Sequence, residues 1–148
     1  MLTREQIECL TVEETVKALA IVREIDRLET IAACEESFME FVREYWPIVE
    51  PGRELKEGDA FYAIVQHLEA VESGEISNLL INVPPGFSKS LLTSVFFPAW
   101  VWGPRNQASK RFLCFSYSES LTLRDNRRFS ALILSDKYQS AWGKRVRV

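Results

Sequence analysis

Apolar residues recur every three or four positions along several stretches of this chain and run together in two short ones, a contrast that predicts helices interspersed with buried strands. Thr11 and Glu14 form a capping-box pattern, and Val12, Val16, Leu19, Ile25, Leu28 and Ile31 follow at mostly helical spacing. A long amphipathic helix is therefore expected from about residue 12 to 33. A second is expected over Glu35 to Trp46, with Phe38, Phe41, Val42 and Tyr45 on one side. It should stop before Pro47, because the residue preceding a proline is disfavoured in helical geometry. Pro51-Gly52 marks a turn, and 47–58 reads as a linker. Asp59 can then cap a helix to about Glu72 whose apolar face is Phe61, Ile64, Val65, Leu68 and Val71, with Ser73-Gly74 ending it.

The two uninterrupted apolar runs come next. Leu79, Leu80, Ile81 and Val83 predict a strand over Asn78 to Val83, and Phe112, Leu113, Cys114 and Phe115 a second over Arg111 to Ser116, both of the doubly buried kind that parallel sheets use. A helix from Lys89 lies between them, to be kinked or ended by Pro98. Ser118 or Glu119 opens another helix to about Leu134, and Lys144 to Val148 resembles the start of a third strand. From residue 59 onward the order is helix, strand, helix, strand, helix, strand, the rhythm of an α/β domain with a parallel sheet. Two strands and a stub cannot complete such a sheet, so the chain is expected to be the beginning of a longer protein. It divides into a helical segment with linker, 1–57, and the first part of an α/β domain, 58–148.

Composition narrows this little. A chain of 148 residues, 47% hydrophobic and 26% charged, is of globular proportions, and a net charge of -3 gives no overall pull toward nucleic acid or acidic membrane. Cys9, Cys34 and Cys114 are too scattered for a disulfide framework or a zinc knuckle and read as reduced thiols. Arg4, Glu5 and Glu8 break any signal-peptide pattern. The most lipophilic window, Leu91 to Trp102, contains Thr93, Ser94 and Pro98 and falls short of the roughly 20 apolar residues a membrane helix needs.

Candidate chemistry concentrates at Asn-Val-Pro-Pro-Gly-Phe-Ser-Lys-Ser, residues 82 to 90. An apolar run, a tight loop, Lys-Ser and a helix follow one another as in a phosphate-binding P-loop, where backbone N–H groups face an anion. Against the usual G-x-x-x-x-G-K-[ST], Val83 stands at the first glycine and Ser88 at the second, so Lys89-Ser90 alone is intact. Gly86 can restore part of the missing backbone freedom. The competing reading is a solvated lysine at a helix start.

The neighbouring segments carry a wider likeness. Phe-Val-Arg-Glu-Tyr-Trp-Pro-Ile-Val-Glu-Pro-Gly at 41–52, His-Leu-Glu-Ala-Val at 67–71 and Leu-Leu-Ile-Asn-Val-Pro-Pro-Gly-Phe-Ser-Lys-Ser at 79–90 come in order. Phe-Phe-Pro-Ala-Trp-Val-Trp at 96–102, Phe-Ser-Tyr-Ser-Glu-Ser-Leu at 115–121 and Trp142-Gly143 complete the series. From about Phe38 to Gly143 the chain resembles the N-terminal part of tailed-phage terminase large subunits, the ATP-driven DNA-packaging motors. The resemblance implies an ASCE-type P-loop ATPase core, incomplete at the C-terminus here, with an RNase H-like nuclease domain downstream. ATP and Mg2+ would be the cofactors. Pro85, Gly86, Phe87, Ser88, Lys89 and Ser90 would form the nucleotide site, Lys89 as the catalytic lysine on the phosphates and Ser90 as the magnesium contact. The implied partners are double-stranded DNA, a terminase small subunit, the portal protein of the procapsid and further copies of the chain on the portal. The implied location is the cytoplasm of an infected bacterial host, with no membrane role. In that family a non-glycine first position is ordinary, which accounts for Val83. Gly86 in place of an arginine and Ser88 in place of a glycine then become the positions that decide hydrolysis.

The remaining candidates are weaker. Ala131 to Asp136 imitates an apolar strand ending in an acid, but Phe129, Leu132 and Ile133 suit a helix face, so the acidic motif is expected beyond Val148 and residues 1–148 alone should hydrolyse ATP poorly. His67, the only histidine, reads as structural, and Phe96, Phe97, Trp100 and Trp102 as core. Tyr117 falls at the end of the second expected strand, near where open sheets bind ligands. Arg124, Arg127 and Arg128, with Lys110, Arg111, Lys144, Arg145 and Arg147 around them, make a locally basic second half that could meet DNA phosphates or simply be a solvated face. The rival readings are another P-loop NTPase, helicase-like or kinase, and a non-catalytic remnant or adaptor with a degenerate loop.

Overall fold

The computed structural model describes residues 11–146, which leaves Cys9, Arg147 and Val148 outside the described residues. Among the described residues, seven α-helical segments and one π-helical segment follow one another: α1 (Val12–Glu36), α2 (Phe38–Val49), α3 (Asp59–Ser73), α4 (Lys89–Leu91), a π segment (Leu92–Phe96), α5 (Phe97–Trp102), α6 (Glu119–Ile133) and α7 (Asp136–Trp142). Among the described residues there is no strand and no sheet. The expected α/β class, with the start of a parallel-sheet ATPase core, is therefore corrected to an all-helical one.

The reason lies in the two apolar runs. Residues 77–83 and 111–115 are non-helical, but their main-chain groups make no hydrogen bond among the described residues. Leu80, Leu113, Phe115 and Tyr117 are 93%, 79%, 88% and 96% exposed. Apolar composition favours a strand only where a neighbouring strand accepts from its N–H groups, donates to its C=O groups and covers its side chains. Of the expected third strand, the described residues 144–146 form a turn instead: Arg145 and Val146 donate their N–H groups back to the Trp142 carbonyl.

The chain divides into two compact units, the first ending at Ala32 and the second beginning at Ala33. The described part of the first is the N-terminal stretch of α1, opened by the expected capping box. The Glu14 carboxylate accepts from the Thr11 N–H at 2.9 Å, while the Thr11 hydroxyl oxygen accepts from the Glu14 N–H at 3.3 Å. Val12, Val16, Leu19, Ile25 and Leu28 are exposed along it.

The second unit holds the core. Phe38, Phe41, Val42, Tyr45 and Trp46 of α2 are buried, as are Phe61, Ile64, Val65 and Leu68 of α3 at the spacing the sequence shows. Leu92, Val95, Phe96, Ala99 and Trp100 meet them, and Tyr138 and Trp142 of α7 complete the cluster. The rings pack in offset or edge-on pairs, such as Trp46 on Phe96 at 5.8 Å and Phe41 on Trp142 at 5.8 Å between centroids. Two buried donors are matched: the Trp100 indole N–H donates to the Cys34 carbonyl at 2.8 Å, and the Tyr138 hydroxyl to the Ala99 carbonyl at 2.7 Å. Gly103 is required here, since a Cβ would collide with the Tyr138 ring and hydroxyl.

Pro47 behaves differently from expectation. α2 continues through Pro47 to Val49 rather than stopping before it. Lying in the last turn, Pro47 removes a single ladder bond, and the Glu50 N–H still donates to the Trp46 carbonyl at 2.9 Å. Pro98 does not end its helix. The π segment just before it shifts the bonding, so that the Phe97 N–H reaches the Leu92 carbonyl five residues back, and helix continues to Trp102.

Candidate functional site

The loop of Pro85, Gly86, Phe87 and Ser88 joins an extended segment directly to the helical run 89–102. Two of its residues have left-handed backbone, Gly86 at φ 99° and Ser88 at φ 54° and ψ 14°. Nothing lies within 4 Å of where a Cβ on Gly86 would sit, so conformation rather than space selects glycine there. A left-handed residue followed by a right-handed one, as Ser88 and helical Lys89 are, turns successive N–H groups toward one side, the geometry of anion-binding nests. Beyond the loop, α4 starts without a side-chain cap. The first bond of the helix is from the Leu92 N–H to the Ser88 carbonyl at 3.0 Å, which leaves the amides of its opening turn for an outside acceptor.

Lys89 is half-buried and makes no ion pair among the described residues, while Ser90 is exposed. The hydroxyl of Thr93 donates to the Lys89 carbonyl at 3.0 Å and steadies that turn. Among the described residues no group of three or more His, Cys, Asp or Glu side chains could hold a metal ion. Ser90 would contact magnesium only as a single protein ligand to an ion that arrives on phosphate oxygens, the manner in which that ion is usually held.

The structure separates parts of the expected nucleotide site. Pro85, Gly86, Phe87 and Ser88 border a groove of about 610 Å³ whose other wall is the linker and start of α3, including Arg53, Lys56, Glu57 and Asp59. Ser90 instead borders a cavity of about 350 Å³ with Trp102, Phe112, Cys114, Phe115, Arg124 and Asp125. Sequence reasoning missed the linker wall entirely. Its anchor is Glu57, which takes two hydrogen bonds from the Arg43 guanidinium at 2.8 and 2.7 Å and one from the Tyr62 hydroxyl at 2.6 Å. Those bonds, Arg43 first and then Tyr62, hold the Glu57 carboxyl down at about 2. No local pattern announces a pairing between residues so far apart in sequence.

The three arginines proposed for DNA are unequally placed. Arg124 pairs with Asp125 at 2.9 Å, and Arg128 pairs with Glu50 and lies 3.8 Å from Asp125. Glu50 is buried and also accepts from Arg53 at 3.1 Å, so Arg128 ties α6 to the end of α2. Arg127 is exposed and makes no ion pair among the described residues. Asp136 opens α7 and Ala131 to Ile133 lie in α6, in keeping with the helical reading of that stretch. His67 contacts the Ala63 carbonyl one turn back at 2.7 Å. Phe96, Phe97 and Trp100 are buried in the core, Trp102 meets Phe129 edge-on at 5.4 Å between centroids, and Tyr117 is exposed. Cys34 is buried and its thiol is pushed up to about 12 by burial, whereas Cys114 is exposed. No described helix is long and apolar enough to cross a membrane.

Comparison of the chain with family models, curated proteins and solved structures gives no match.

Proposed function

We propose that this chain binds the phosphates of ATP at the loop 85–90 and serves as the ATP-binding part of a DNA-packaging motor of the terminase large-subunit type. The observation that carries the reading is the left-handed pair Gly86 and Ser88 leading straight into Lys89 and an uncapped helix start. Loop and helix amides would take the phosphate oxygens, the Lys89 ammonium would sit on the outer phosphates, and the Ser90 hydroxyl would contact magnesium. Magnesium would supply charge neutralisation on the phosphates. In the whole motor, hydrolysis would be coupled to moving double-stranded DNA into a procapsid, with the small subunit, the portal protein and further copies of the chain as partners. The order of terminase-like segments from Phe38 to Gly143 supports this assignment.

A second reading is favoured by a specific observation. With no sheet among the described residues, and with Ser90 on a different cavity from Pro85 to Ser88, the chain could be a non-catalytic adaptor whose loop has lost its function. Calorimetric titration with Mg-ATP separates the two. Under the first reading Lys89→Ala weakens binding at least about tenfold, or 1.4 kcal/mol. Affinity that is absent, or indifferent to Lys89, leaves the adaptor.

A further inference from the structure

The groove beside the loop has its own chemistry, and that chemistry is ill suited to phosphate. Its volume of about 610 Å³ falls inside the roughly 300–1,000 Å³ typical of small-ligand clefts. One wall is Pro85 to Ser88, with the Phe87 ring 44% exposed. Trp46 and Phe61 also line it and are buried to 5% and 3% exposure. The Trp46 indole N–H is already given to the Arg53 carbonyl at 2.8 Å, so this indole has no donor left to offer.

The charges on the linker wall divide into used and unused groups. Glu57 is held by Arg43 and Tyr62, and Arg53 by Glu50. Glu54, Asp59 and Lys56 make no ion pair or side-chain hydrogen bond among the described residues. Two unused carboxylates against one unused ammonium would repel a polyphosphate. They match a molecule that is aromatic on one side and rich in N–H and O–H donors on its edges.

We infer that this groove takes the nucleoside end of a nucleotide whose phosphates lie at the loop 85–90, with Phe87 as the stacking surface for the base and Glu54 and Asp59 as acceptors for base amino and ribose hydroxyl groups. The inference rests on the phosphate-binding reading of the loop. It adds that affinity depends on the nucleoside and not on the phosphate chain alone. Base-on-aromatic stacking has the size to be seen, at roughly 1–3 kcal/mol per base where such contacts have been removed.

Titration of the full chain with Mg-ATP and, separately, with magnesium tripolyphosphate tests it. Tripolyphosphate carries the greater charge, so binding by charge alone would favour it. The groove requires ATP to bind at least about tenfold tighter, Phe87→Ala to lower ATP affinity by a larger factor than tripolyphosphate affinity so that most of the advantage disappears, and Phe87→Tyr to retain it. Equal affinity of the wild-type chain for both probes overturns the inference. So does an equal loss for both in Phe87→Ala. If tripolyphosphate binds in a Lys89-dependent way without an ATP preference, the loop reading survives and the groove assignment alone falls. If neither probe binds, both fall together.

Discussion

At Ser88 the chain enters a left-handed conformation that costs a residue with a Cβ roughly 1–2 kcal/mol, and it does so next to the one lysine with a claim on phosphate. Gly86, two residues earlier, meets the same demand without strain. Ser88→Gly should therefore raise stability by up to about 1 kcal/mol, the relief being partly offset by the extra freedom glycine gives the unfolded chain. Urea denaturation reads this directly, and a lower midpoint in the variant would show that the serine hydroxyl makes a contribution the backbone geometry does not reveal. The sequence showed that Ser88 departs from glycine at this position. It could not show that the backbone keeps the glycine-like conformation anyway.

Among the elements, the linker is fixed to α2 and α3 through Glu57, and the fixing has a pH signature. The folded-state pKa of about 2 lies below the ordinary 4.5, so the stabilisation is fully present above pH 4.5 and is lost as pH falls from there toward 2. The melting-temperature difference between wild type and Glu57→Gln should thus shrink between pH 6 and pH 2.5. A difference that stays constant over that range would mean Arg43 and Tyr62 do not hold the carboxylate in solution. On α6 the arginines separate by role. Arg127→Glu should reduce DNA affinity in fluorescence anisotropy and leave the melting temperature unchanged, because the side chain is exposed and unpaired among the described residues. Arg128→Glu should cost about 1–3 kcal/mol of stability, since it leaves the buried Glu50 carboxylate with Arg53 alone. DNA binding that ignores Arg127→Glu would remove α6 from the interface.

Over the whole molecule, the helices were legible because their signal is local. Phe61, Ile64, Val65 and Leu68 recur at helical spacing and are buried together, and the Thr11 capping box forms as its two residues suggest. The strands were misread because strand stability is not local. Leu79 to Val83 and Phe112 to Phe115 have the composition of buried strands, but a strand exists only with a partner, and no described segment pairs with either. Pro47 was misjudged for a related reason: it falls where a helix is ending. Of the candidate site, Gly86, Lys89 and Ser90 could be picked out from spacing, whereas the groove wall at 53–61 depends on the pairing of Glu57 with Arg43. The most direct measurement is an amide nitrogen–proton NMR titration of the 148-residue chain with Mg-ATP. Saturable shifts at the amides of 86 to 91, lost in Lys89→Ala, are the expected result. Shifts confined to other parts of the chain, or none at saturating nucleotide, would contradict phosphate binding at this loop.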